Sequence, residues 1–535
     1  MLEYLVGQMS PMKASACLVG IFLIACLVRK FQVSLEVSRL GLRAPRIRFR
    51  LPYALDNVYG YVMANSRGED LTHWQNLMET AHGASAIDHV QTAELDFGIS
   101  NRAIVTKDPE NIRALLTGQF ADYGKGEPFH HDWKEFLGDS IFVTDGELWS
   151  RSRQLIRPMF TRDRIVDTEI FEHHVQHLIP LLAGTKSNKV VDVTPLFLRY
   201  TLDAATAYLF GDGTNSLQNP ATSFAEAFSY VQHRQSEIFC YGYTSTNNRS
   251  ISPFNPILSR TKFRQELKKM NDFMAPFIQR ALSLSPEELD TSLSKQETFI
   301  HALARFTRDP KVIRDQLTAI LLAGRDTTAT TLAFCFFELA RNPSVVAVLR
   351  SEIASRLGLG PSGRKPTYTD LKEMKYLTAV LNETNRLYPV VPFNVRYALK
   401  DTTLPRGGGA DGNGPVGIRA NTRMIYSTMM MQRDPAHYPP PGSKNYFDPG
   451  KWVPERWTGD WVPKPWHFIP FNGGPRICLG QQFAMIEMGY TVVRILQVYE
   501  SLRAMPPAGK DKVEDPMLRF KITLNPGSEL NCVFE

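Results

Sequence analysis

The feature that most constrains the fold is a nearly uncharged run, residues 317–339, within a segment that the pattern predicts as one helix over 311–341. Only Arg325 and Asp326 interrupt this run before Glu338 near its end. At 1.5 Å per residue, such a helix extends roughly 45 Å, which is enough to cross a whole domain. A membrane span is the alternative, but the two charges and five threonines favour a protein core.

The rest of the chain predicts a mainly α fold with small β-sheets. Helical periodicity dominates from about residue 140 to 390, and after Tyr397 the chain becomes rich in Gly, Pro and Trp, with short apolar segments. Asp108 followed by proline predicts a helix start just after a short strand. Since no repeat or long linker divides the body, we expect a single domain over 56–535.

Charge and cysteine usage exclude several classes of protein. The net charge of +7 is mild, and no dense Lys/Arg tract interleaved with aromatic residues points to nucleic acid. The six cysteines show neither paired nor Cys-x-x-Cys spacing, so neither a disulfide framework nor a zinc site is indicated. A reducing compartment fits best.

The N-terminus carries an uncharged, mostly apolar run over residues 14–28, shorter than the roughly 20 residues that a spanning helix prefers. A cleaved signal peptide is the rival interpretation. Seven basic residues follow against only Glu36, and such an excess holds its side of a membrane in the cytoplasm. We therefore predict a signal anchor over 1–30 and a basic, proline-containing connection over 31–55.

Cys478 lies in a glycine-rich stretch, residues 471–480, followed by a predicted buried helix over 481–499. Two glycines and a proline predict a tight loop whose backbone amides can turn towards the sulfur. A helix N-terminus and the nearby Arg476 favour negative charge there. The alternative is a small buried cysteine in a glycine turn. A stabilised thiolate would suit a metal ligand.

The pattern Phe-x-x-Gly-x-Arg-x-Cys-x-Gly within this stretch resembles the haem-binding loop of the cytochrome P450 superfamily. The resemblance implies that Cys478 is the axial ligand of the iron of haem b. It also implies that Phe471 and Arg476 contribute to cofactor binding.

The centre of the long helix, residues 323–328, resembles the distal haem helix of the same superfamily. Glycine weakens the helix there, and a threonine hydroxyl can bond to a carbonyl one turn back and bend it. The resemblance places Asp326 and Thr327 at the catalytic acid and alcohol positions, where they would bind water and relay protons.

Glu383 and Arg386 stand three residues apart on one predicted helical face, an arrangement that is usually a surface pair. Together with Arg456, they resemble the superfamily's Glu-x-x-Arg helix and the arginine that completes its ion-pair triad. We expect a buried structural network that fixes the cysteine loop. Glu383→Ala should then give protein without bound haem.

Trp149 and Arg153 match the superfamily's Trp-x-x-x-Arg pair, whose members contact a haem propionate. Arg153, Arg396 and Arg476 could together neutralise the two propionates, a task that suits arginine better than lysine. Since four motifs occur in the superfamily's order, the chain is identified as a member.

Membership implies a haem-thiolate monooxygenase that inserts one oxygen atom from O2 into a C–H bond of a lipophilic substrate. Because the sequence contains no flavin or iron–sulfur motif, electrons would come from NADPH through a membrane-bound cytochrome reductase, with cytochrome b5 as a further candidate. Two rivals stay open. One is an isomerase or dehydratase acting on hydroperoxides, which has no need of the Asp326–Thr327 pair, and the other is a non-catalytic haem protein.

Three stretches, 323–329, 404–409 and 471–483, look like the fungal microsomal branch that hydroxylates alkanes and the ω-carbon of fatty acids. This implies a single-pass protein of the endoplasmic reticulum membrane, with the catalytic domain cytosolic and a long aliphatic substrate or a fungal secondary metabolite. The departures from the branch pattern are Asn385, Val391 and Phe393.

Overall fold

The computed structural model describes residues 11–51, 54–82, 90–97, 102–161, 166–185, 189–241, 260–291 and 298–535. Its α-helices are α1 (Pro11–Leu40), α2 (Leu55–Arg67), α3 (Asp70–His82), α4 (Pro109–Arg113), α5 (Gly126–Leu137), α6 (Gly146–Ile156), α7 (Glu169–Leu182), α8 (Val193–Phe210), α9 (Ser223–Tyr241), α10 (Thr261–Ser283), α11 (Pro286–Thr291), α12 (Phe299–Phe306), α13 (Pro310–Arg341), α14 (Pro343–Leu357), α15 (Tyr368–Glu373), α16 (Lys375–Leu387), α17 (Thr428–Gln432) and α18 (Gln481–Val498). Its strands are β1 (Arg46–Arg48), β2 (Thr92–Asp96), β3 (Arg102–Thr106), β4 (Tyr123–Gly124), β5 (Val191–Asp192), β6 (Phe393–Ala398), β7 (Thr402–Gly408), β8 (Gly414–Ile418), β9 (Arg423–Ser427), β10 (Leu502–Met505), β11 (Leu518–Phe520), β12 (Leu524–Pro526) and β13 (Asn531–Phe534). The prediction of a mainly helical fold with small sheets is confirmed.

The helix starts follow the expected capping chemistry. The Asp108 carboxylate accepts hydrogen bonds from the backbone N–H groups of Glu110 and Asn111, so it caps α4 as predicted. Asp309 caps α13 in the same way, directly before Pro310. The long helix predicted over 311–341 is therefore confirmed, with a start that two local signals explain.

The described chain separates into two compact units, each assembled from several stretches. The smaller unit takes Met1–Tyr59, Gln75–Gly124 and Val395–Tyr426, and the larger takes Gly60–Trp74, Lys125–Asn394 and Ser427–Glu535.

The smaller unit is built around a sheet with the strand order β1-β2-β3-β9-β6-β4. Strands β2 and β3 are antiparallel, with Thr92 opposite Thr106, whereas β3 and β9 are parallel, with Ala103 opposite Arg423. Every residue of β3 is buried, because protein covers both faces of this strand. A hairpin of β7 and β8 completes the unit.

Helix α1 continues without a break past residue 30, the expected boundary, to Leu40. The large apolar side chains between Leu18 and Phe31 are exposed, whereas Val33 and Val37 are only 4% and 0% exposed. The C-terminal end of α1 is thus part of the folded unit. Within the described residues, Ser15–Leu40 is the one helical stretch that by itself is long and apolar enough to cross a membrane.

Close packing at Gly417 holds the end of α1 against β8. A Cβ atom at Gly417 would lie 2.4 Å from the Val37 carbonyl oxygen, so no larger residue can occupy this position without displacing the helix. The Glu36 carboxylate forms an ion pair with Arg419 at 2.6 Å, one residue beyond β8.

Helix α13 runs through the core of the larger unit. Fully buried side chains occur along much of this helix, at Leu317, Leu332 and Phe336. Helices α8, α10, α16 and α18 pack against it, together with strands β10 and β13. The apolar run is therefore a protein core, as its two charges and five threonines predicted.

Glu383 on α16 is fully buried and binds two guanidinium groups. Arg386 donates to both carboxylate oxygens at 2.7 and 2.8 Å, and Nε of Arg456 lies 3.4 Å from one of them. The Val453 N–H and the Trp457 indole N–H also donate to the carboxylate, at 2.8 and 2.9 Å. Burial alone raises the pKa of Glu383, but the guanidinium charges and these donors lower it overall, so the group is ionised.

The same arginines bind the backbone that leads towards the cysteine loop. Their remaining N–H groups donate to main-chain carbonyls between Phe447 and Lys451 at 2.8 to 2.9 Å. Gln432, also fully buried, adds a second link. Its side-chain amide donates to the carbonyls of Asn385 and Arg386, and its oxygen accepts the Ile469 N–H at 3.0 Å.

We predict that Glu383→Ala lowers the free energy of unfolding by about 3–5 kcal/mol, because two buried guanidinium groups lose their shared counter-ion. Urea denaturation followed by tryptophan fluorescence measures this change. The haem content of the purified variant is the second readout, and we expect it to fall.

The matched control is Lys268→Ala, which breaks the pair between Lys268 and Asp272, whose side chains are 75% and 61% exposed. We expect it to change the free energy of unfolding by less than about 1 kcal/mol. If Glu383→Ala had an equally small effect and kept its haem, the network would not hold the fold.

Candidate haem-thiolate site

The predicted cysteine loop is closed by its own backbone. The Cys478 N–H donates to the Phe471 carbonyl at 3.0 Å. Gly474 has a φ of +64°, in the left-handed region that favours glycine. A Cβ atom at Gly473 would lie 2.6 Å from the ring of Trp466, so this position needs glycine for a close approach. The tight loop expected from the sequence is present.

Cys478 lies just before α18, as predicted, and its side chain is accessible although protein closely surrounds it. Burial raises the pKa of its thiol, while the Gly480 N–H and the Arg153 charge act in the opposite direction. The sequence suggested that the loop would favour the thiolate, but the burial of the sulfur outweighs both stabilising groups. A coordinated metal ion overcomes this cost, because it deprotonates a thiol outright.

Two arginines and a tryptophan surround the loop. The guanidinium groups of Arg476 and Arg153 lie 4.7 and 5.9 Å from the ring centre of Trp149. Arg476 forms an ion pair with Asp145 at 2.5 Å and donates to the Thr144 carbonyl at 2.9 Å. Its charge is therefore already compensated, which the sequence pattern did not reveal.

Arg153 differs from Arg476 in its partners. It donates to the Ile477 carbonyl at 3.1 Å, next to Cys478. In the described part of the chain it forms no ion pair with a carboxylate. Its guanidinium group can thus bind a propionate from a ligand held at the sulfur.

The donor set fits haem. A single soft sulfur ligand in a glycine loop suits haem iron, and the Arg153 guanidinium suits one of its carboxylates. Trp149, Arg476 and Phe471 support the loop through ring, ion-pair and backbone contacts.

Asp326 and Thr327 lie at the centre of α13 and have separate partners. The Thr327 hydroxyl donates to the Ala323 carbonyl at 2.6 Å, which is the bond one turn back that the sequence suggested. Asp326 is buried, and its Oδ2 accepts a hydrogen bond from the Gln232 amide of α9. Its Oδ1 accepts no hydrogen bond within the described residues and lies 3.4 Å from the Arg325 guanidinium.

Arg325 connects α13 to α8 and α9. It donates to the Ser229 hydroxyl at 2.8 Å and lies over the ring of Phe228 at 5.2 Å. Its carbonyl accepts the Thr201 hydroxyl of α8 at 2.8 Å. These contacts compensate a buried charge pair that would otherwise be costly.

Sequence reasoning missed Glu487, a fully buried carboxyl group on α18. Burial raises its pKa to about 8, although a hydrogen bond with Thr328 acts in the opposite direction. It is therefore mostly protonated at neutral pH, in contact with the residue that follows Thr327. The sequence feature that could have identified Glu487 is that it is the one acidic residue in the apolar segment 481–499.

Gln232 and Asp145 were also missed, and no spacing rule could have found them, because each lies on an element remote in sequence from its partner.

Arg396 belongs to the smaller unit, where it is 1% exposed. There it donates to the Val395 carbonyl and lies 5.7 Å from the Tyr426 ring. Its assignment to haem binding stays a prediction.

Comparisons with known proteins identify the family of the chain. The family model described as Cytochrome P450 matches residues 96–528. Cytochrome P450 monooxygenase pvhE from Talaromyces variabilis is 40% identical, covering 98% of this chain and 96% of its own length. Cytochrome P450 52A13 from Debaryomyces hansenii is also 40% identical, covering 76% of this chain and 78% of its own length.

A solved structure shares the fold. The crystal structure of the cytochrome P450DA haem domain superposes with a TM-score of 0.70 over 92% of this chain and 96% of its own, at 18% identity. Together with the cysteine loop and the matches along nearly the whole sequence, this leads to one assignment: the chain belongs to the cytochrome P450 family and is a haem-dependent monooxygenase of that family.

Proposed function

We propose that this enzyme inserts one atom of O2 into a C–H bond of a lipophilic substrate, with electrons from NADPH delivered by a membrane-bound reductase. The observation that carries the proposal is the joint presence, in one compact unit, of a cysteine loop, the buried carboxylate of Asp326 and the neighbouring Thr327 hydroxyl. A hydroperoxide isomerase or a haem carrier has no use for that acid–alcohol pair.

In this proposal, side chains of the protein bind the cofactor and relay protons. Thiolate-ligated haem supplies the chemistry that favours cleavage of the oxygen–oxygen bond. Cys478 would provide the sulfur ligand, and Arg153 would bind a propionate. Arg476 keeps the loop in place through Asp145.

Asp326 and Thr327 divide the proton relay between them. The Thr327 hydroxyl hydrogen is committed to the Ala323 carbonyl, so its oxygen is free to accept a hydrogen bond from water. Asp326 Oδ1 is the carboxylate oxygen that would accept a hydrogen bond from water, because Gln232 occupies Oδ2 and no described residue donates to Oδ1. The two side chains together would order water and hold the protons that the reaction consumes.

The proposed substrate class, a long aliphatic chain or a lipophilic secondary metabolite, rests on the resemblance of three sequence stretches to the fungal hydroxylase branch. Phe393, a departure from the fungal branch pattern, packs its ring against Trp74 and Phe520 at 4.9 and 5.3 Å. Asn385 instead bonds within α16 and to Gln432, so it is part of the scaffold. Phe393 therefore packs against the apolar core of the larger unit.

The exposed apolar part of α1 supports membrane attachment. Its large side chains between Leu18 and Phe31 contact no protein core, and basic residues follow on the chain. We propose a single-pass anchor in the endoplasmic reticulum membrane, with the catalytic units in the cytosol and the reductase, aided by cytochrome b5, docking on the cysteine side.

Turnover tests the proposed function. The purified holoprotein, reconstituted with reductase, is expected to convert members of a saturated fatty-acid or alkane series only when both NADPH and O2 are present. Substrate-binding spectra across the series rank the chain lengths. Conversion of a hydroperoxide without O2 and reductase would instead identify an isomerase, and no conversion of any lipophilic compound would favour a carrier.

Replacing Thr327 with alanine is expected to uncouple electron use from product formation. The ratio of product to NADPH consumed should fall at least several-fold, because water near the oxygen is no longer held, while haem content stays normal. Thr331→Ala is the control, since Thr331 makes the same bond to a carbonyl one turn back, at 2.9 Å. Equal coupling in the two variants would remove Thr327 from the relay.

Carbonate extraction checks the anchor. The full-length protein is expected to stay in the membrane pellet, because α1 carries enough exposed apolar surface to remain in the bilayer. A chain that lacks residues 1–30 should move largely to the soluble fraction. Release of the full-length protein would refute the anchor.

A further inference from the structure

A cleft with a volume of about 330 Å³ lies in the larger unit where the C-terminal ends of α13 and α16 meet the backbone of residues 450–453. None of the residues that were predicted to bind haem or to relay protons line it. Its charged lining residues are Glu338, Arg341, Arg433, Lys451 and Asp515.

The two carboxylates of the cleft are already engaged. Arg341 forms ion pairs with Glu338 at 3.1 Å and with Asp515 at 2.6 Å. Lys451 lies 3.5 Å from Asp515 as well. Two acidic side chains therefore face three basic ones, which leaves one excess positive charge at the cleft.

Arg433 carries that excess charge. Within the described residues it forms no ion pair with a carboxylate, and its Nε and Nη2 both donate to the Leu387 carbonyl at 3.0 and 2.6 Å. Its Nη1 makes no hydrogen bond to the described part of the chain, and that atom is not sealed from solvent. Burial lowers the pKa of Arg433 to about 10, although the charges of Asp515 and Glu338 act in the opposite direction, so the guanidinium group stays charged at neutral pH.

We propose that this cleft binds a small oxyanion, a phosphate or carboxylate group, between Arg433 and Lys451. A guanidinium group with a free N–H edge beside an ammonium group is the arrangement that recognises such oxygens. The volume is that of a small-molecule site and exceeds what one water molecule needs. This inference goes beyond the proposed monooxygenase function and does not depend on it.

The cleft is connected to the Glu383 network through its wall. The Lys451 carbonyl accepts a hydrogen bond from Arg386 at 2.9 Å, and the Val453 N–H donates to Glu383 at 2.8 Å. An anion that holds this wall would stabilise the segment that leads to the cysteine loop. Binding should therefore raise the stability of the folded holoprotein by mass action.

The test follows the thermal unfolding midpoint of the full-length holoprotein in detergent. Inorganic phosphate is titrated in one arm and acetate in the other, with chloride adjusted to constant ionic strength. We expect a saturable rise in at least one arm, and the arm with the lower half-saturating concentration identifies the group. A rise that never saturates, or no rise in either arm, overturns the proposal.

Two variants locate the effect. Arg433→Gln is expected to abolish the saturable rise. Lys451→Glu, at a side chain that is 62% exposed and therefore tolerant of change, should raise the half-saturating concentration at least tenfold, even if Arg433→Gln folds poorly. Lys444→Glu makes the same charge change outside the cleft lining and should titrate like the wild type. Equal titrations for Lys451→Glu and Lys444→Glu would also overturn the site.

Discussion

The larger unit depends on one buried carboxylate. Glu383 is the counter-ion for two guanidinium groups, and each of these in turn binds backbone carbonyls of the segment 447–451. A buried charge is tolerated only when it is paired and hydrogen-bonded. Removing any one of these three side chains would therefore leave another charge unpaired in a medium of low dielectric constant. The stretch between residue 451 and Cys478 is consequently held in place where it begins. The hydrogen bond between Gln432 and the Ile469 N–H holds it a second time.

The interior of this unit tolerates polar groups at the centre of an apolar helix because neighbouring helices compensate each of them. Asp326 has the Gln232 amide, Arg325 has the Ser229 hydroxyl and the ring of Phe228, and Thr201 binds the helix backbone. The acid of the proposed relay thus sits in a preorganised polar cluster. Preorganisation matters for proton transfer, since the groups need not be reoriented during reaction.

The helices, their caps and the residue types of the site could be predicted from sequence because they depend on short-range spacing. Asp108, Asp309 and the loop around Cys478 are examples, since each acts on residues within one or two turns. The raised pKa of Cys478 could not, because it depends on how closely protein packs around the sulfur. The pairing of Arg476 with Asp145 could not be predicted either, because the two residues lie far apart in the chain. Among the described residues it leaves Arg153, beside the sulfur, without a carboxylate partner.

The sequence by itself determined the chemistry: a thiol in a glycine loop, an acid–alcohol pair in a long apolar helix, and a Glu-x-x-Arg pair that needs a third partner. Local motifs carry such information because the reacting groups and their supporting backbone are near neighbours. Only the tertiary structure decided which charges are compensated. It joined Gln232 to Asp326, ended α1 against Gly417 and buried Glu487. Among the described residues it also left Arg433 without an ion pair to a carboxylate, because burial and pairing arise from contacts between segments far apart in the chain.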